Sequence, residues 1–128
     1  MKVLLDTCTF LWILEDAPDL SKEAREIFLN EENEIHLSVV SIWEIAIKHG
    51  LGRLTFPESL AKYIPKQRSA HGIAELELNE ESALHVSRLP NLHRDPFDRM
   101  LISQAIIHQM TILTPDPLVT TYPARVLW

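Results

Sequence analysis

Lys2-Val3-Leu4-Leu5-Asp6 is the stretch on which the reading of this chain turns. A short aliphatic run ends abruptly on an aspartate, and its length and flanks favour a buried strand over a helix. Thr7-Cys8-Thr9 then leads into Phe10-Leu11-Trp12-Ile13-Leu14, a short apolar helix that Asp16-Ala17-Pro18-Asp19 breaks. Ser21 opens a second helix, in which Glu23, Ala24, Ile27, Phe28 and Leu29 keep helical spacing. Residues 35–38 read as a second strand. Residues 39–49 are apolar almost all round and stop at Gly50 and Gly52, which predicts a buried helix. A further helix is expected over 58–68 with a break at Pro65, and the region 51–70 reads as a helical excursion or clamp beside the sheet.

The remaining chain repeats the alternation. Residues 73–78 alternate as a third strand, and Asn79 caps a helix that runs to Val86. His93-Arg94-Asp95-Pro96 opens the last long helix, to about Met110, and residues 111–114 and 126–128 are the fourth and fifth strands. Strands alternating with helices from end to end predict an α/β fold with a mostly parallel sheet covered on both faces. No repeat, low-complexity stretch or linker interrupts it, so residues 1–128 read as a single domain.

Composition narrows the function classes. The 128 residues are 46% hydrophobic, enough for one core, and with only 3 glycines and 8 prolines the chain is neither fibrous nor disordered. The single cysteine, Cys8, excludes an internal disulfide and a cysteine-rich zinc site. No apolar run approaches the ~20 residues that span a bilayer, and the N-terminus meets Asp6 too soon to be a signal peptide. A reducing, cytoplasmic setting is the expectation. The formal net charge of −6 is the wrong sign for gripping nucleic acid by phosphate neutralisation alone. Either nucleic acid is not the partner, or a bound cation supplies positive charge locally.

The carboxylates decide between those two. Most of the eighteen acids lie in polar stretches and need no explanation beyond a solvated surface. Asp6 ends a strand, where ligands gather in open parallel sheets; a helix cap would explain it equally well. Glu44 sits among Ile42, Trp43, Ile45, Ala46 and Ile47, where a carboxylate is costly unless paired; Lys48, one turn on, is its ordinary partner. Asp95-Pro96 has the form of an N-cap followed by proline at the first helical position, so Asp95 already has a structural task. Asp98 has none. It heads the buried stripe Leu101, Ile102, Ala105, Ile106 and is preferred to Asp95 as a ligand. Asp116, in Thr114-Pro115-Asp116-Pro117, is either a turn residue or a neighbour of Asp6 at the same sheet end. Carboxylates brought together repel unless a cation neutralises them. Hard oxygen donors without clustered histidine or cysteine suit Mg²⁺ or Mn²⁺, and the matching chemistry is phosphodiester hydrolysis.

Val3-Leu4-Leu5-Asp6-Thr7, Ser41-Ile42-Trp43-Glu44-Ile45, the run from Asp95 through Ala105 and Leu113-Thr114-Pro115-Asp116 together resemble the PIN-domain ribonucleases, in particular the VapC-type toxins of toxin–antitoxin pairs. The resemblance covers the whole chain in order. It implies a three-layer α/β/α fold, Mg²⁺ or Mn²⁺ held by an acidic quartet, RNA cleavage, a cognate antitoxin that blocks the site, and a homodimer. On this chain the quartet falls on Asp6, Glu44, Asp98 and Asp116, with Asp95 as an alternative fifth member and Thr7 as a supporting hydroxyl. Trp12 and other apolar residues of the first two helices are candidates for an antitoxin groove. Arg53, Arg94, Arg99 and Lys48 are candidates for phosphate contacts, although surface cations are usually paired with nearby acids.

Other readings find less support. An aspartyl-phosphate phosphatase would place a second aspartate where Cys8 stands. No phosphate-binding glycine loop or dinucleotide fingerprint is present. A PIN-like module that binds RNA or protein without cutting is the alternative, and a complete quartet argues against it. His36, His49, His71, His85, His93 and His108 show no zinc spacing and are read as satisfied or exposed, and Cys8 is read as a core residue.

Overall fold

Strand and helix alternate along the chain as the pattern predicts. The computed structural model describes residues 1–128 and contains β1 (Lys2–Leu5), α1 (Thr7–Glu15), α2 (Lys22–Leu29), β2 (Glu34–Ser38), α3 (Val39–Gly50) and α4 (Leu60–Ala70) in its first half. The second half holds β3 (Ala74–Leu76), α5 (Glu80–His85), α6 (Pro96–His108), β4 (Thr111–Leu113) and β5 (Arg125–Leu127), with single 3₁₀ turns at Val86–Arg88 and Val119–Thr121. The sheet order is β3-β2-β1-β4-β5, and all four pairings are parallel. β1 is the central strand, with Val3 opposite both Ile35 of β2 and Thr111 of β4.

Period-two alternation sends successive strand residues to opposite faces. Val3 and Leu5 of β1 and Leu113 of β4 enter one apolar cluster, with Phe10 and Ile13 of α1, Ala24 of α2 and Ile64 of α4. Leu4 of β1 and Ile112 of β4 enter the other, with Leu101, Ile102 and Ala105 of α6. The central strand is therefore apolar on both sides, and the layers are helix, sheet, helix.

Three expectations are corrected. The region 51–70 is no clamp: Leu54, Phe56, Leu60 and Tyr63 pack on the first cluster and Ile64 is 2% exposed, so α4 belongs to the helical layer. That packing carries α4 unbroken through Pro65 despite the backbone bond proline cannot donate. α3 is not buried all round. It straddles the sheet's end, giving Val40 to one cluster and Ile45 to the other, and its outer face leaves Trp43 62% exposed.

Caps read from the sequence are in place. Ser21 accepts from the Ala24 N–H and Asn79 from the Ser82 N–H. Gln104, fully buried in α6, accepts from the Ser38 hydroxyl at 2.6 Å and donates to the Glu77 carbonyl at 3.2 Å, which ties α6 to the carboxyl ends of β2 and β3.

Candidate active site

The chain moves outward from β1 to β2 and β3, then returns to β4 on β1's other side. In open parallel sheets such a reversal leaves a crevice at the carboxyl ends of the two diverging strands. A cleft of about 390 Å³ lies there, lined by Asp6, Thr7, Cys8, Trp12, Glu44, Lys48, Asp95, Asp98, Pro115, Asp116 and Pro117. All four acids singled out from the sequence face it, together with Asp95.

Asp6 does both of the tasks open to it. It is the N-cap of α1, with Oδ1 accepting from the Thr9 N–H at 2.8 Å, while Oδ2 accepts from the Thr114 hydroxyl. Burial pushes its carboxyl above the ordinary carboxylate range, against the pull of those hydrogen bonds, and the charge of Asp116 adds to the rise. Glu44 is 7% exposed, and each of its oxygens has a partner. The Thr7 hydroxyl donates to Oε1 at 2.7 Å and the Lys48 ammonium lies 2.7 Å from Oε2. That hydrogen bond to Glu44 raises the Lys48 pKa, so the ammonium stays charged beside the cleft.

Asp95 and Asp98 divide as their positions in the helix start require. Asp95 Oδ1 accepts from the Phe97 N–H at 2.8 Å and the Asp98 N–H at 3.3 Å, which caps α6. Asp98 points into the cleft from the first turn. Burial, and next the charge of Asp95, push its carboxyl up to about 7, with Asp6 and Glu44 adding and His93 opposing. Asp116 follows β4, its Oδ1 accepting from the Leu118 N–H at 2.9 Å and its own N–H donating to Thr114 Oγ1 at 3.1 Å. Thr114 thus holds Asp6 and Asp116 through a single hydroxyl.

Two residues of the site were passed over in the sequence. His93 Nε2 lies 3.0 Å from Asp98 Oδ2 and 3.3 Å from Asp116 Oδ2, and the ligand-type atoms of these three residues all lie within 4.8 Å of one another. Spacing rules for zinc could not find it, because its partners are two separate carboxylates far apart in the chain. Its place in the helix opening just ahead of Asp95 was the one local signal. Thr114 carried no signal at all. Cys8 is also corrected: the residue is exposed on the cleft wall, not in the core, and partial desolvation of its thiol followed by the nearby charge of Asp6 pushes that thiol up, so it is a poor nucleophile. Arg99 is no phosphate contact. It donates to the Pro90 carbonyl at 2.8 Å, the Val86 carbonyl at 3.3 Å and Tyr122 Oη at 3.1 Å, fixing the loop ahead of α6. Trp12 is half-buried against Trp128, ring centroids 5.8 Å apart, and lines the cleft.

The donor set suits a hard divalent ion. Carboxylate oxygens predominate, and ligands about 2.1 Å from one Mg²⁺ lie at most about 4.2 Å apart, close to the spacing around Asp98 and Asp116. The raised pKa values of Asp6 and Asp98 express the same need, since a nearby cation relieves the cost of ionising both.

A parallel α/β/α sandwich with an acid-lined crevice at its strand reversal is the architecture of a PIN domain, and residues 3–119 match that family. The chain belongs to the PIN domain family. Over 69 residues it is 38% identical to Ribonuclease VapC16 of Mycobacterium tuberculosis, an alignment covering 54% of this chain and 49% of the relative. The chain thus spans about half the length of the curated relative it matches. Among solved structures it resembles VapBC2 from Rickettsia felis bound to a promoter DNA fragment, with TM-score 0.74, 16% identity, and 99% and 98% of the two chains covered. DNA-bound VapBC from Salmonella typhimurium is similar at TM-score 0.72 and 19% identity, covering 99% of this chain and 97% of that one. At those identities the likeness establishes the shared fold.

Proposed function

We propose that this chain is a Mg²⁺- or Mn²⁺-dependent endoribonuclease and the toxin of a toxin–antitoxin pair. The observation that carries the reading is the convergence of Asp6, Glu44, Asp98 and Asp116 on one cleft, with the Asp98 carboxyl pushed up to about 7 by burial and its acidic neighbours. Structural acids on a surface have no reason to be packed at such cost, whereas pKa values displaced in this way are common at functional sites.

Asp98 and Asp116, with Asp6 and Glu44 alongside, would hold the ion, which when bound supplies a nucleophilic water and offsets charge on the leaving oxygen. The chain's own residues set the stage. Thr9 and Thr114 orient Asp6, and Thr7 and Lys48 orient Glu44, so neither carboxylate swings to solvent. Lys48 is the one cation that lines the cleft, and it is the chain's nearest positive charge to an RNA phosphate there. With a net charge of −6 the protein repels RNA overall. Binding is therefore expected to be modest and dependent on the ion, while a basic antitoxin segment would be attracted to the same cleft. A homodimer and a cytoplasmic location complete the proposal; no helix is long and apolar enough to cross a membrane.

The test is RNA cleavage by purified parent and Asp6→Asn protein with Mg²⁺. Cleavage by the parent and none by the variant is expected. Equal activity in both rejects the assigned role of Asp6, and stabilisation by Mg²⁺ without cleavage by the parent points to a non-cutting PIN-like binding module instead.

A further inference from the structure

His93 makes a hydrogen bond from each ring nitrogen, and together they assign its tautomer. Nδ1 lies 3.2 Å from the Asp95 backbone nitrogen, which can only donate. Nδ1 therefore accepts, and the ring proton sits on Nε2. Nε2 is the nitrogen hydrogen-bonded to Asp116 Oδ2 at 3.3 Å, and it lies 3.0 Å from Asp98 Oδ2, so its N–H is given to Asp116 while Asp98 stands beside it. A metal ligand at that position needs a lone pair on Nε2. That would move the proton to Nδ1, where it would face the Asp95 N–H, donor against donor.

The backbone gives this arrangement little freedom. The buried Tyr122 Oη accepts from the His93 N–H at 2.7 Å and the Leu92 N–H at 3.2 Å, and Arg99 braces the same oxygen and the Pro90 carbonyl. Asp95 is held in turn by capping α6. The three ligand-type atoms within 4.8 Å of one another thus comprise two acceptors and one donor, not three ligands.

We propose that His93 is a positioning residue that stands in for the cation, its Nε2–H donating to Asp116 with Asp98 alongside, and that it is displaced rather than recruited when a divalent ion binds. The proposal rests on the divalent-ion reading above. It makes His93 a competitor of the ion: its ring sits against two crowded carboxylates, and its hydrogen bond to Asp116 must be given up on binding.

The sign of one measurement separates this from ligation. Mg²⁺ affinity by calorimetry is expected to rise about fivefold to tenfold in His93→Ala, because no hydrogen bond to a charged group is then lost on binding. It should stay within about twofold of the parent in His93→Gln, whose amide N–H keeps a donor near the Nε2 position. Unchanged or weaker binding by His93→Ala overturns the proposal. A parent that binds neither Mg²⁺ nor Mn²⁺ overturns the divalent-ion reading itself, and this one with it. Should His93→Ala not fold, ¹⁵N–¹H spectra of the metal-free parent, assigned with His93→Gln, decide alone. Signals of the Nε2–H tautomer are expected, and the Nδ1–H form overturns the proposal.

Discussion

The Thr7 hydroxyl donates to Glu44 Oε1 at 2.7 Å and so joins the first residue of α1 to the middle of α3 inside the acidic cleft. Both residues are buried, and the other Glu44 oxygen is held by Lys48. A buried carboxylate that loses one of two partners bears an uncompensated desolvation cost. Thr7→Val keeps the side-chain shape and removes the donor. It is expected to lower stability by about 1–3 kcal/mol in chemical denaturation and to slow RNA cleavage.

Asp98 separates function from stability. Its charge is costly in the fold, as the rise to about 7 records, so neutralising it removes a penalty. Asp98→Asn is expected to cut RNA at least ~100-fold more slowly, consistent with loss of a catalytic-site charge. At pH 8 without divalent ions, the same variant should melt no lower than the parent. A clear drop in its melting temperature would make Asp98 a structural residue.

The pH dependence of the metal-free protein has a definite sign. Asp6 and Asp98 both titrate higher in the folded chain than unfolded, Asp98 at about 7. Below about pH 4 both are protonated in either state and their contribution to stability is fully present. As the pH rises through about 7 the fold must carry charges that the unfolded chain carries freely, and that stability is lost. The melting temperature should fall by at least about 4 °C between pH 5 and pH 8. The fall should be smaller in Asp98→Asn and largely cancelled by saturating Mg²⁺, which differential scanning calorimetry can measure.

Tyr122 supports the cleft from outside it. Its hydroxyl accepts from the Leu92 and His93 N–H groups; the Leu92 N–H also reaches the Pro90 carbonyl at 3.0 Å, but no other acceptor is in place for that of His93. Tyr122→Phe is expected to cost about 1–2 kcal/mol and to lower cleavage through the loosened loop, with the fold unchanged by circular dichroism.

Much of this was legible in the residues. The aliphatic run ending at Asp6, the helical spacing after Ser21 and the Asp95-Pro96 cap are local signals, and the five strands appear where those signals put them. Glu44 and Asp98 stood out because each is a charge on a stripe of apolar neighbours, and both line the cleft. The errors were of a different kind. The exposed outer face of α3, the unbroken helix through Pro65, the cleft position of Cys8 and the carbonyl-bound Arg99 all depend on what packs beside them.

By itself the amino-acid order determined the elements, their caps and the parallel α/β class, because periodicity, propensity and capping act over a few residues. Which acids meet, which hydroxyl holds each one, and that His93 lies between Asp98 and Asp116 were decided only by the tertiary structure. Those contacts join segments as far apart as Asp6 and Thr114, and their geometry follows from where β1 and β4 come together in the sheet.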